Sequence, residues 1–581
     1  MKMTGSQIIV ALLEKAGITM VSGIPGGSIL PLYDELCKSS ITHILVRHEQ
    51  AAGFIAQGMA RTTGKPAVCL ATSGPGAMNL LTAIADARSD SIPLVAITGQ
   101  VNTALIGTDA FQEADTFGLS FPITKHSVMV KSAKELLKAL PEAFAIAQNG
   151  RPGPVLVDVP RDVQTQVIDI DVLSDMPELG NSADERFLGL GDSLRYHTSE
   201  KSIQEILPKC AEMLLCAKKP VVYAGGGANS PDGAYGLSRF LELYPCPVVT
   251  SLMGIGAVPR SYVGTVGMVG MHGSVAANRA MHDSDVVLVA GARFDDRATG
   301  VINKFCPNAR IIHIDIDAAE INKIVDADIS IVAKAEDILP RLAAILVSQK
   351  EQCAFHALAK DREEWLNSIC ALHDKSAPTS GEAGTNPRAF IAEIPDFAHH
   401  AGLREEDIIV TTDVGQHQMW TAQYYPIERA RQLLTSGSLG TMGFGLPAAI
   451  GAALANRDKR IICFSGDGSI MMNVQELATL AEQDLPVTVI VLDNGALGMV
   501  RQQQEYLFSK NYSASIFKKS PDLVSIARGF GIDAMDIDDD PQWFKRAFSV
   551  GPHFVRVKIS MSENVLPFVK AGSANIDAIM N

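Results

Sequence analysis

Gly466-Asp467-Gly468-Ser469 follows an apolar run, Arg460 to Phe464, and a second run, Val487 to Leu492, ends in Asp493-Asn494. The 24 residues between Gly468 and Asp493 are enough for one crossover helix and the next strand, which sets the two strand ends side by side. A carboxylate from Asp467 and an amide oxygen from Asn494 are hard ligands. They suit Mg²⁺, which completes its shell with water and phosphate oxygens. Gly466 and Gly468 let backbone N–H groups approach a diphosphate, and a helix expected from near Ile470 aims its positive end at it. An ordinary strand-to-helix turn also carries an Asp between glycines. It is the Asp-Asn pair at this distance that favours a metal-diphosphate site.

A second acid stands far away in the chain. Ile41 to Val46 reads as a buried strand, and Arg47-His48-Glu49-Gln50 then opens a helix over Ala51 to Arg61. An isolated Glu there would simply complement the helix dipole. In apolar surroundings the same carboxyl is ready to share a proton.

The elements that must position these groups fall into three blocks. Strand runs at Met20 to Ser22, Ile41 to Val46, Ala67 to Ala71, Leu94 to Thr98 and Val155 to Val159 alternate with amphipathic helices, which predicts a doubly wound domain over 1–165. A polar stretch, 166–200, reads as a linker. Runs at Pro220 to Ala224, Val248 to Ser251, Val286 to Ala290 and Ile311 to Ile314 predict a second α/β domain over 201–345. A linker over 346–387 follows, including Gly381-Glu382-Ala383-Gly384-Thr385. The third domain, 388–581, has strands near Ile408 to Thr412, Ile461 to Phe464, Val487 to Leu492 and Phe554 to Lys558. The fold class is therefore α/β, three doubly wound domains with mainly parallel sheets, and the first and third are expected to share a topology.

Composition agrees and excludes other classes. A chain of 581 residues is too long for one core. A net charge of −14 argues against nucleic acid or an anionic membrane as main partner. The nine cysteines are scattered without CxxC pairs, which fits reduced thiols and a cytoplasmic location. Glu14 and Lys15 interrupt the N-terminal apolar run, and no stretch reaches the length of a membrane span.

GDGS with Asp493-Asn494 resembles the thiamine diphosphate fingerprint of the decarboxylase and carboligase superfamily, whose usual pattern closes on two Asn. The resemblance implies that Asp467, Asn494 and the backbone carbonyl of Ala496 hold Mg²⁺. It implies that Gln416, His417, Gly440, Gly466, Gly468 and Ser469 surround the diphosphate, and that Met442 of Leu439-Gly440-Thr441-Met442 wedges under the cofactor. Met442 before small residues would also serve close packing. Glu49 in its Arg-His-Glu-Gln setting resembles the acid that protonates the pyrimidine ring, so that the cofactor's own amine can take the thiazolium proton. Glu49 and Asp467 lie 418 positions apart. In the resembled proteins the two domains come from different subunits, which implies a homodimer or homotetramer.

From Thr4 to about Ala574 the chain resembles the acetohydroxyacid synthase (acetolactate synthase) catalytic subunits, most of all the bacterial isozyme I type. Gly23 to Asp34, Thr72 to Asn79, Gly107 to Asp115, Gly150 to Val163 and Thr411 to Gln423 carry this likeness. It implies two thiamine diphosphate-binding domains flanking a central FAD-binding-like domain. FAD would meet Arg151, Gly225-Gly226-Gly227, Met271, His272, Gly291, Arg293, Asp295, Asp315 and Ile316. The glycine turns alone are as common in any α/β domain. Lys334 stands where an acidic residue is usual.

The implied reaction decarboxylates pyruvate and passes the hydroxyethyl unit to a second 2-oxo acid, giving 2-acetolactate or 2-aceto-2-hydroxybutanoate in branched-chain amino acid synthesis. Arg297 would bind the acceptor carboxylate, Gln112 a reacting oxygen, and Phe111 and Met499 the pocket wall. Gln503 replaces a Trp found in many relatives, so discrimination for one extra methylene should be weak. A small regulatory subunit is a further implied partner. A flavin-free catabolic acetolactate synthase, a flavin-dependent pyruvate oxidase and a silent nucleotide-binding protein are the alternatives.

Overall fold

The computed structural model describes residues 1–170, 197–349, 358–376 and 386–580. Three six-stranded sheets, each parallel throughout, carry the chain. In the first sheet the strands run in space as Thr42–Leu45, Met20–Gly23, Ala67–Ala71, Leu94–Gln100, Pro154–Pro160, His126–Met129. The third runs Leu433–Leu434, Ile408–Thr412, Arg460–Gly466, Val487–Asp493, His553–Lys558, Asp533–Asp536. Both therefore follow the order 2-1-3-4-6-5. The middle sheet runs Thr265–Met268, Val248–Thr250, Pro220–Ala224, Val286–Ala290, Arg310–Asp315, Ile329–Val332, the dinucleotide-type order 3-2-1-4-5-6.

Central strands such as Ala67–Ala71, Val286–Ala290 and Val487–Asp493 are buried along their whole length, as strands covered on both faces must be. Their apolar runs are what the sequence displays. Within these three sheets, five strands that the sequence did not announce are His126–Met129, Thr265–Met268, Ile329–Val332, Leu433–Leu434 and Asp533–Asp536. All five lie at sheet edges, where half the cover is missing and a short or partly polar run suffices.

Three expectations change in detail. Within 166–200, Val167–Asp169 pairs antiparallel with Lys2–Thr4, and 171–196 lie outside the described residues. Within 346–387, Ala359–Ser376 is an 18-residue helix. It buries Trp365 and Ile369 in the cluster that holds Ala280 and Met281, so two well-spaced apolar residues outweigh its polar composition. The segment 381–385 is outside the described residues. After the GDGS motif, Asp467–Ile470 makes only one helical turn, and the helix proper is Glu476–Glu482.

The first and third domains pack through two helices, Glu49–Thr63 and Gly445–Ala455. Glycine is required at the crossing. A Cβ at Gly451 would lie 1.9 Å from the Ile55 carbonyl oxygen, and one at Gly58 would lie 2.2 Å from that of Ala448.

Candidate cofactor site

Strand register builds the site. Gly466 pairs with Leu492, so Asp467 emerges level with Asp493 at the strand ends, beside the switch between Ile408–Thr412 and Arg460–Gly466. Asp467 is 4% exposed. Its carboxylate accepts from Gly495 N at 2.7 Å and Gly468 N at 3.0 Å. Burial, and then the neighbouring Asp493 carboxylate, push its pKa up to about 7. Asp493 is held by Arg556 Nε at 2.7 Å, and Arg556 also meets Asp536 at 2.8 Å. Asn494 Oδ1 accepts from Ala496 N at 3.0 Å, and its Nδ2 donates to Gln416 Oε1 at 3.2 Å. Crowded buried carboxylates beside an amide oxygen form a donor set that a hard divalent cation complements.

A single cavity of about 1540 Å³ opens from this point into the middle domain. On the third-domain side it is lined by Gln416, His417, Gly440, Met442, Gly466, Asp467, Gly468, Ser469, Asn494, Ala496, Met499 and Gln503. On the middle-domain side it is lined by Gly226, Gly227, Met271, His272, Gly291, Arg293, Asp295, Arg297, Asp315 and Ile316, with Arg151 from the first domain. Single-ligand pockets commonly hold about 300–1,000 Å³, so this one has room for two cofactor-sized molecules.

Both walls have features that suit phosphates. Burial lowers the His417 pKa to about 3, and Nε2 of this neutral ring is buried with no hydrogen-bond partner among the described residues. A ring N–H there would find its acceptor in a diphosphate oxygen. Gly440 has φ +67°, and a Cβ there would meet nothing nearer than 3.9 Å, so backbone alone faces open space. In the middle domain Ala224 is in register with Ala290, which brings the Gly225 and Gly291 turns together at that sheet's own switch point. Gly225 does not line the cavity. It is required because a Cβ would lie 2.2 Å from Gly291 O.

Charges around the middle-domain wall are mixed. Arg151 Nη1 meets Glu320 at 2.9 Å and Asp317 at 3.2 Å, and Lys334 meets Glu336 at 3.2 Å. Burial raises Asp315 to about 6 and lowers His272 to about 4. Arg297 is two-thirds exposed, with its Nη1 3.5 Å from Met271 Sδ and its Nε 3.7 Å from the exposed Asp296 carboxylate.

Glu49, Phe111 and Gln112 are not part of this cavity within one chain. Glu49 is the first residue of its helix, capped by His48 Nδ1 at Gln50 N, and Oε2 accepts from Asn79 Nδ2 at 2.9 Å. Gln112, at φ +60°, packs its carbonyl against Gly74, and Phe111 is 87% exposed. All three residues thus lie on the first domain, outside the cavity.

Sequence reasoning passed over the residue that shapes the Met442 loop. Asp413 is fully buried and accepts from Val414 N and Gly443 N at 2.8 Å and from Gly445 N at 3.3 Å. Burial raises its pKa to about 6, which the three N–H donors oppose. Its signal was available: an Asp directly after the apolar strand Ile408–Thr412 and before Gly415.

Comparison with known proteins matches three consecutive families along the chain. Residues 3–119 match the thiamine pyrophosphate enzyme N-terminal TPP binding domain, 207–342 the central domain, and 413–557 the C-terminal TPP binding domain. The chain is 47% identical to the acetolactate synthase isozyme 1 large subunit of Escherichia coli, over 100% of this chain and 98% of that protein. It is 41% identical to the isozyme 2 large subunit of the same organism, over 99% of both. It is 42% identical to a probable acetolactate synthase large subunit of Methanocaldococcus jannaschii, over 98% of this chain and 94% of that protein.

Proposed function

The chain belongs to the acetolactate synthase large-subunit family of thiamine pyrophosphate enzymes, and we propose that it joins a two-carbon unit from pyruvate to a second 2-oxo acid at a site completed by another copy of itself. The observation that carries this reading is the cavity running from Asp467 and Asn494 to the Gly226 and Gly291 turns, with Glu49 outside it.

Asp467, Asn494 and the Ala496 carbonyl are assigned to Mg²⁺, and Gly440, His417 and Ser469 to the diphosphate. Gly226, Gly227, Gly291, Arg293 and Arg151 are assigned to FAD. Bound thiamine diphosphate supplies an electron sink that lets the bond between a keto carbon and its carboxylate break with loss of CO₂. Glu49, brought by the partner copy, holds a proton at Oε1 or Oε2 for the pyrimidine ring, while Asn79 fixes its orientation. Met442, which lines the cavity close to Gly440, would pack against the cofactor. Arg297 binds the acceptor carboxylate with a guanidinium that has no bidentate partner among the described residues. Phe111 and Gln112, on the loop that packs against Gly74 at the start of the helix carrying Gly76 beside Glu49, close the acceptor side and exclude water. Exclusion of water favours ligation over release of acetaldehyde.

A small regulatory subunit, two or four copies of this chain, and a cytoplasmic setting complete the proposal. Among the described residues no helix is long and apolar enough to cross a membrane. The test is a pyruvate assay of the purified chain with and without thiamine diphosphate, Mg²⁺ and FAD, reading acetolactate and acetaldehyde. Acetolactate as main product, requiring all three additions, is expected. Acetaldehyde as main product, or full activity without FAD, contradicts the ligase or the flavin assignment respectively.

A further inference from the structure

The segment Thr435–Met442 runs along the cavity wall between its two ends and carries Gly440 and Met442. Its polar groups are gripped from the first domain. Ser436 Oγ donates to Asp86 Oδ1, and Thr441 Oγ1 donates to the same atom at 2.9 Å. Gly437 N and Ser438 N donate to the two oxygens of Asp90 at 3.0 and 2.8 Å. Both acids are fully buried and share one cation, Arg61, at 3.3 and 2.9 Å. Arg61 also donates to Thr435 O at 3.0 Å.

Two carboxylates against one guanidinium leave excess negative charge out of water. The donors of this segment are what offset it, and hydrogen bonds to a buried charge are stronger than neutral ones. The grip fixes the Ser438 backbone so that its hydroxyl accepts from Arg293 Nη2 at 2.8 Å. Arg293 belongs to the other end of the cavity, assigned above to flavin.

We propose that Asp90 and Ser438 are positioning residues that couple the two ends of the cavity. Asp90 holds the segment bearing Gly440 and Met442, and Ser438 ties that segment to Arg293. A flavin that orders Arg293 therefore tightens thiamine diphosphate binding, and the coupling is reciprocal. This inference rests on the flavin assignment.

Calorimetric binding of thiamine diphosphate with Mg²⁺ to the cofactor-stripped full chain, with and without saturating FAD, reads the coupling, while quenching of flavin fluorescence reads FAD binding by itself. In the native chain FAD should tighten thiamine diphosphate binding about fivefold or more. S438A should bring that ratio to within about twofold of unity while FAD still binds, and D90N should weaken thiamine diphosphate binding about tenfold with or without FAD. If D90N fails to fold, S438A still decides the matter. An unchanged ratio in S438A, or no effect of bound FAD on the native chain, overturns the inference alone. Absence of FAD binding to the native chain overturns it together with the flavin assignment. A lowered melting temperature with native binding constants marks the contacts as structural and also overturns it.

Discussion

At the scale of single residues, burial sets the chemistry more than neighbouring charge does. Asp158, within the strand Pro154–Pro160, accepts from Thr98 Oγ1 at 2.7 Å and Gln100 Nε2 at 3.0 Å. Burial raises its pKa to about 7 against those two donors. A carboxyl with a folded pKa above its unfolded one contributes most at low pH, and the contribution is lost as pH rises from about 4 through 7. Asp158→Asn should therefore melt above the native chain at pH 8, with the gap narrowing towards pH 4. The ceiling, about 4 kcal/mol for three pKa units, is reduced because an amide nitrogen cannot accept from Gln100. A gap that is constant with pH would refute the assignment.

Gln503 lines the cavity beside Met499 and leaves its wall polar. Gln503→Trp should shift competition between pyruvate and 2-oxobutanoate towards the longer acceptor by about tenfold, the range that one buried methylene supplies. Product ratios from a mixed-substrate assay measure it, and an unchanged ratio rejects the role.

At the scale of elements, the crossing of Glu49–Thr63 with Gly445–Ala455 holds the tightest glycine approach among the described residues. Gly451→Ala puts a methyl group against the Ile55 carbonyl oxygen with no flexible side chain to yield, so the backbones must part. A stability loss of about 1–3 kcal/mol or more is expected, read as a lower melting temperature, with Gly402→Ala no fair control because of its own positive φ. Ala448→Gly on the same helix removes only a methyl and should cost less.

Elements also explain what the sequence makes visible. Strands buried on both faces announce themselves as apolar runs, and the Asp467 and Asn494 turns follow from two such runs at crossover spacing. The edge strands and the helix Ala359–Ser376 carry half that pattern, so they stay hidden until packing is known. Asp86 and Asp90 were hidden for another reason: a buried acid facing hydroxyl or backbone donors from a segment some 350 positions away has no spacing signature of its own. The strand orders 2-1-3-4-6-5 and 3-2-1-4-5-6 depend on long-range pairing and could only be expected as a class.

At the scale of the whole molecule, the proposed site needs two copies of the chain, because Glu49 lies outside the cavity that holds Asp467. Phe111, Phe121 and Met78 are exposed on the first domain, which carries Glu49, and Leu439, Met472 and Val500 are exposed on the third, at or close in sequence to cavity residues. Exposed apolar groups around both halves suit an isologous interface that sets each Glu49 against the other copy's cavity. Sedimentation of the purified chain should give a dimer or a multiple of one. The most direct measurement mixes two variants, Glu49→Gln and Asp467→Asn, each inactive alone, under conditions that reassort subunits. Random pairing makes half the dimers mixed, and one of the two sites in each is then intact, so about a quarter of native activity should return. If both acids instead served a site within one chain, no mixed dimer would hold an intact site, and the mixture would stay inactive.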